Sequence, residues 1–202
     1  VTLKANSGKF DYDRNPKTVS GFTCWDVETQ KEVTGLQFDE IIASRTETDA
    51  GEYDVEFEKD PVNNKDQTGN YIIKGTENGQ LVITANETEV VVKITGHKTE
   101  ETYDGDTHKA EGYNVSISNA LYKESDFTFT GTAKVEGTNA DIYQMGLNEG
   151  QFTNNNANFK KVTFVVEDGQ LVIKPREVTL KANSGKFDYD RNPKTVSGFT
   201  CW

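Results

Sequence analysis

The sequence predicts an all-β fold assembled from small repeated domains, and three observations carry that reading. Short runs rich in Val, Ile, Thr, Phe and Tyr alternate with polar residues and end on Gly, Asn or Asp, the period-2 pattern of half-buried strands. Residues 1–25, VTLKANSGKFDYDRNPKTVSGFTCW, recur unchanged as residues 178–202, a period of 177 residues. Within that period the segment from Val1 answers the segment from Val90. The chain therefore divides into domains 1–88 and 89–177, followed by the start of a third copy at 178–202.

The internal correspondence runs in order along the chain. VTLKANSG at the start matches VVVKITGH at 90–97, Tyr12-Asp13 matches Tyr103-Asp104, and Ser20-Gly21-Phe22 matches Glu111-Gly112-Tyr113. Asp49-Ala50-Gly51-Glu52-Tyr53 lines up with Asn139-Ala140-Asp141-Ile142-Tyr143, and Asn70-Tyr71 with Asn158-Phe159. ENGQLVI at 77–83 closes the first domain as EDGQLVI at 167–173 closes the second.

The clearest strands are expected at 1–5, 52–58, 71–74, 81–84, 90–95, 126–130, 162–166 and 171–174. Asn78-Gly79 and Asp168-Gly169 sit between two such runs, and these dipeptides favour the positive φ of a type I′ turn, so each domain is expected to close in a hairpin. The junctions 84–89 and 174–177 are short, and Pro175 with its locked φ makes the second one stiff. Helical signals are confined to a turn or two at 36–43 and 147–152. The expected architecture is two tandem small β-sandwiches of immunoglobulin-like type, with a β-grasp arrangement as the alternative.

Composition removes several functions. Hydrophobic residues at 34% and charged residues at 27% suit a globular protein, and no apolar run approaches the ~20 residues that a spanning helix needs, so no membrane insertion is expected of this segment. Neither an initiator Met nor a signal peptide opens the sequence, as expected of an internal fragment. With 22 basic against 33 acidic side chains the net charge is −11, which argues against nucleic acid, whose binding is driven by Lys and Arg neutralising phosphates.

Catalytic constellations are missing from the sequence. His97 and His108 are the only histidines and do not form an H-E-x-x-H pair. G-x-S-x-G, Walker and dinucleotide motifs are absent, and in so acidic a chain any two carboxylates carry little information. The chain is expected not to be an enzyme and to need no cofactor.

The remaining candidate residues are few. Tyr103-Asp104-Gly105 suits a tight turn in which Asp caps the backbone, Gly accepts positive φ and Tyr anchors the turn on the core. Asp11 with Asp13, and Asp104 with Asp106, are candidate Ca²⁺ ligands, although no full ligand cycle accompanies them. Cys24 and Cys201 are one position in successive copies, so a disulfide would have to join copies or chains. Lys4 and Lys93 occupy equivalent first-strand positions and are candidate donors for an intramolecular isopeptide bond to Asn or Asp.

The order of an opening VTLKA-like strand, a tyrosine-acid motif (KFDYDRNPK at 9–17, EETYDGDTHK at 100–109), the AGEYDV strand and a closing NY or NF segment with DGQLVI resembles the MBG- and YDG-type repeat domains. Such domains stand in tandem in very large secreted or wall-anchored proteins of Gram-positive, Clostridia-like bacteria. The segment from Tyr103 to Ile173 is the most similar. The first domain departs from the pattern, with Asp13-Arg14 in place of Asp-Gly and an insertion at 59–69.

The resemblance implies an extracellular spacer or adhesive module at a cell surface or cell wall. The expected function is a structural stalk unit whose partners are neighbouring copies of the same repeat. The alternative is an adhesin that binds host glycan or protein through 59–69 or the aromatic edge at Phe22 and Trp25. The repeated first strand at 178–180 needs partners, which makes self-association into a fibre a linked expectation.

Overall fold

The computed structural model describes residues 1–202, and it is all-β, in the β-sandwich class, with 46% of residues in strands. The first half contains β1 (Thr2–Ala5), β2 (Gly8–Asp11), β3 (Lys17–Ser20), β4 (Phe22–Trp25), β5 (Ser44–Glu47), β6 (Gly51–Val55), β7 (Gly75–Glu77) and β8 (Gly79–Thr84). They pair in the orders β4-β1-β7, β2-β8-β6 and β3-β5. The second half contains β9 (Val90–Gly96), β10 (Lys98–Thr102), β11 (His108–Glu111), β12 (Tyr113–Ile117), β13 (Phe127–Phe129), β14 (Lys134–Gly137), β15 (Asp141–Gln144), β16 (Phe152–Asn154), β17 (Val162–Glu167) and β18 (Gln170–Lys174). Their orders are β12-β9-β17, β10-β18-β15 and β11-β14, so the same pairing is traced twice, and β13-β16 is an addition to the second half. The final residues form β19 (Leu180–Ala182) and β20 (Phe199–Cys201).

The expected closing hairpin is not formed. β1 runs parallel to β7 with Thr2 opposite Gly75, and β2 runs parallel to β8 with Asp11 opposite Thr84. The offset between partners is the same on both sides of Asn78, so β7 and β8 are two stretches of one strand that bends from one sheet into the next. The glycine is needed for proximity and not for a turn: a Cβ on Gly79 would lie 2.0 Å from the carbonyl oxygen of Asn6. Gly169 repeats the device, where a Cβ would lie 2.7 Å from the carbonyl oxygen of His97. An Asn-Gly dipeptide between two apolar runs carries both meanings, and here the close backbone approach wins.

The strands form where side chains alternate. In β1 Leu3 and Ala5 point inward and Lys4 outward; in β9 Val90, Val92 and Ile94 are fully buried while Lys93 is exposed. Each such aliphatic side chain contributes ~2 kcal/mol by leaving water. At one end of the first half Val1, Leu3, Cys24 and Ile73 form a core covered by Phe22, Val33, Leu36, Phe38, Ile41, Phe57 and Tyr71. This explains why 36–43 is not the short helix its apolar spacing suggested: the segment is irregular, and Leu36, Phe38 and Ile41 are used to roof that core. The second helical expectation is met only by the 3-10 turn Glu149–Gln151. The expected strand at 71–74 is reduced to a single bridge between Ile72 and Lys65.

Grouped by contacts, the residues make two compact units: Val1–Lys93 with Ser116–Phe129 and Phe152–Val165, and Ile94–Val115 with Thr130–Gln151 and Val166–Trp202. In the first unit, segments 116–129 and 152–165 bring Tyr122, Asp126, Asn158 and Phe159 to Tyr12, Arg14, Asp49 and Ala50.

Candidate functional site

The most developed polar arrangement lies in the first unit, in an open cleft of about 430 Å³ lined by Tyr12, Arg14, Asp49, Ala50, Asp126 and the segment from Asn155 to Asn158. Arg14 follows β2 in a tight turn that Asp13 organises. The Asp13 carboxylate accepts the Asn15 N–H at 2.9 Å and pairs with Lys17 Nζ at 2.7 Å. Lys17, and then the Asn15 amide, lower the Asp13 pKa to about 2. Within this turn Arg14 takes φ 68°, a left-handed conformation unfavourable for a residue with a Cβ. At the equivalent place in the second half stands Gly105, with φ 92°.

The Arg14 side chain reaches residues far away in sequence. Its Nε donates to the carbonyl oxygen of Leu121 and its Nη2 to the Asp126 carboxylate, which is 9% exposed. Asp126 also accepts the Lys123 N–H at 2.8 Å and Asn156 Nδ2 at 2.9 Å, so the buried charge is fully paired.

Below it runs a ladder of asparagines. Asn154 Oδ1 accepts the Asn156 N–H, and Asn156 Oδ1 accepts the Asn158 N–H, both at 3.0 Å. Asn158 then spans to the first half: its Nδ2 donates to Asp49 at 2.9 Å and its Oδ1 accepts the Ala50 N–H at 2.6 Å. Alternate Asn residues therefore cap the backbone two positions on, which holds an otherwise irregular loop in one shape.

An aromatic cluster backs the ladder. Phe159 meets Tyr12 edge-to-face at 5.6 Å and Tyr122 at 5.1 Å. Burial, and then the charge of Asp126, push the Tyr122 hydroxyl up to about 12. Every buried side-chain polar atom finds a partner, so the cleft presents no buried group waiting for a ligand. Chemically the arrangement is a latch that fixes the turn at residues 12–14 against residues 119–126 and 154–159.

The residues singled out from sequence are placed as follows. Asp11 ends β2 on the surface, Asp13 is committed to Asn15 and Lys17, and Asp104 accepts the Asp106 N–H and His108 Nε2, each at 2.9 Å. Asp13 and Asp104 act as turn caps, and nowhere do three His, Cys, Asp or Glu side chains converge as metal ligands. The Asp106 amide and then His108 hold the Asp104 carboxyl below the ordinary range. Tyr103 departs from expectation: it is 40% exposed, while its counterpart Tyr12 is 5% exposed and does anchor its turn.

Cys24 and Cys201 are free thiols, one buried and one exposed. Lys4 is half-exposed and paired with Glu77 at 3.2 Å, and Lys93 faces solvent, so neither has the buried setting that an isopeptide donor requires. Trp25 borders a second, smaller cleft of about 230 Å³ with Thr2, Lys4, Asp26, Gln30 and Glu77. Phe22 is turned inward against Phe38 and Phe57. In the insertion at 59–69, Asp66 is buried at 4% and caps Thr68 and Tyr71.

Sequence reasoning missed Arg14, Asp49, Tyr122 and Asp126. The signal was present at one of them, since Arg14 replaces a glycine where the turn needs positive φ. Comparison with family models, with curated proteins and with solved structures finds no match.

Proposed function

We propose that the chain is a structural repeat unit, a spacer or stalk module of an extracellular, cell-surface or filament-forming bacterial protein, of the MBG/YDG type its motifs resemble. The observation that carries this reading is the doubled strand order, β4-β1-β7 with β2-β8-β6 followed by β12-β9-β17 with β10-β18-β15. A third opening follows at 178–202, identical in sequence to 1–25. Duplication of one packed unit is how a long array is built, and stability in such arrays comes from each unit and its neighbours. The Arg14 latch, whose polar groups are spent on one another, supports a mechanical role over a catalytic one.

Small-angle scattering on arrays of one and two periods tests the proposal. A maximum dimension that grows by a constant increment per 177 residues is expected. An array that collapses to a compact particle overturns it.

A second reading, an adhesin for glycan, is favoured by the cleft beside Trp25. There an indole borders Asp26, Gln30, Glu77 and Lys4, the pairing of an apolar ring with hydrogen-bonding side chains that suits a sugar. Saturable binding on a glycan array that Trp25→Ala abolishes would establish it.

A further inference from the structure

We propose that the cleft beside Trp25 is a subsite for one neutral pyranose ring, a sugar that carries neither an acid nor an amino group. The inference rests on the adhesin reading and names the ligand class which that reading leaves open.

The floor of the cleft is the outer face of the sheet β4-β1-β7. Thr2 and Lys4 of β1 alternate with the buried Leu3 and Ala5, and so point away from the core. Pairing puts Trp25 of β4 opposite Thr2 on one side, and Gly75 and Glu77 of β7 opposite Thr2 and Lys4 on the other. A Cβ at Gly75 would meet nothing within 4 Å, so beyond Thr2 the sheet face stays open. An indole therefore stands on one side of β1, with a carboxylate and an empty position on the other.

These groups are fixed by bonds of their own. Trp25 Nε1 donates to Thr23 Oγ1 at 2.9 Å, which holds the ring along its strand. Asp26 accepts the Glu28 and Thr29 N–H groups at 3.0 and 2.7 Å, and Gln30 Nε2 donates to the Val27 carbonyl at 2.8 Å. The loop that supplies the remaining lining residues is thus ordered without a ligand, which lowers the entropic cost of binding one.

Size and charge select the ligand. At about 230 Å³ the cleft lies below the ~300 Å³ at which sites for drug-sized ligands begin, so it holds a single ring. Lys4 Nζ stands 3.2 Å from Glu77 Oε2, and both side chains are about half exposed, so the pair presents a donor and an acceptor to two neighbouring hydroxyls. An indole beside a carboxylate also suits an ammonium group, but a cationic ligand would have to displace Lys4 from Glu77. An anionic ligand meets Asp26 and Glu77 on a chain of net charge −11. A neutral ring, with an apolar face for the indole and hydroxyls at its rim, avoids both costs.

The second half keeps the strands and lacks the site. Following the repeated motifs, Ser116 stands where β4 has Trp25, and Val165 where β7 has Gly75. The same strand order forms in both halves, so the fold requires neither the indole nor the open position.

The test uses the full 202-residue chain, ¹⁵N-labelled, and follows the Trp25 indole N–H by NMR, identified by its loss in Trp25→Phe. The probes are methyl β-glucopyranoside, methyl β-galactopyranoside, methyl β-glucuronide and choline. At least one neutral glycoside should saturate the shift with a Kd of about 1 mM, the strength that ~12 non-hydrogen atoms reach at one exposed subsite. The glucuronide and choline should each bind more weakly by about fivefold or more. Gly75→Val, which installs the side chain of the second half, should raise the glycoside Kd by at least about tenfold. Lys4→Ala, an exposed substitution that frees Glu77, should shift the preference toward choline.

Glucuronide or choline binding as tightly as the glycosides, or a glycoside Kd unmoved by Gly75→Val, overturns the proposal and leaves the adhesin reading standing. No shift with any of the four probes overturns both, and the scattering test of the stalk is independent of either result.

Discussion

The Arg14 guanidinium pairs with the Asp126 carboxylate from a left-handed backbone, across 112 residues of sequence. Two opposing terms meet at this one residue, the strain of φ 68° and the neutralisation of a buried charge, and substitutions separate them. Arg14→Ala keeps the strain and strands the carboxylate, and should lower stability by about 3 kcal/mol. Arg14→Gly strands the same carboxylate but relieves the backbone, and should be the less harmful by ~1 kcal/mol. Urea midpoints of the two variants, with Arg191→Ala as the exposed control within ~0.5 kcal/mol of wild type, check the order.

The bend at Asn78 rests on a backbone crossing. Gly79→Ala places a Cβ against the Asn6 carbonyl and should cost ~3 kcal/mol. Gly75→Ala, with open space around its Cβ, should be within ~0.5 kcal/mol of wild type. Thermal unfolding distinguishes them.

Two groups predict opposite pH limbs. The Asp13 carboxyl is depressed to about 2 from 3.8, so its contribution is present above its unfolded value and is lost as pH falls through about 2. A carboxyl ¹³C titration should place its midpoint there, and Lys17→Gln should move it back toward 3.8, because Lys17 is the largest cause.

Tyr122 is raised from 10.0 to about 12, so its contribution is intact below pH 10 and is lost as pH rises through about 12. Tyr122→Phe should flatten that part of the alkaline stability curve, measured by denaturant unfolding at successive pH values.

The two cysteines share a sequence context but not a setting. Cys24 is 6% exposed and burial raises its thiol pKa, while Cys201 is on the surface. Alkylation should modify Cys201 faster by at least about tenfold, a ratio readable by peptide mass.

Much of the fold was legible because it rests on alternation. Leu3 and Ala5, and Val90, Val92 and Ile94, sit inward as the period-2 pattern requires, and the repeated motifs fall on equivalent strands. The closing strand was misread because Gly79 and Gly169 are selected by close parallel backbones, a long-range fact that no dipeptide reveals. Leu36, Phe38 and Ile41 mimicked a helical stripe while covering a core end. The latch was hidden for the same reason: Asp126 and Asn158 look like loop polar residues until residues 14 and 49 are brought beside them.

On the repeat-unit reading proposed above, Gly105 bears on how an array of such units would lengthen. Where the first half carries an arginine, the second carries no side chain, so charge is neutralised once per pair of halves. A genetic exchange that inserts a single half leaves either a guanidinium without its carboxylate or a buried carboxylate without its cation. Expansion by whole pairs meets no such penalty, and copy number is expected to change in steps of 177 residues.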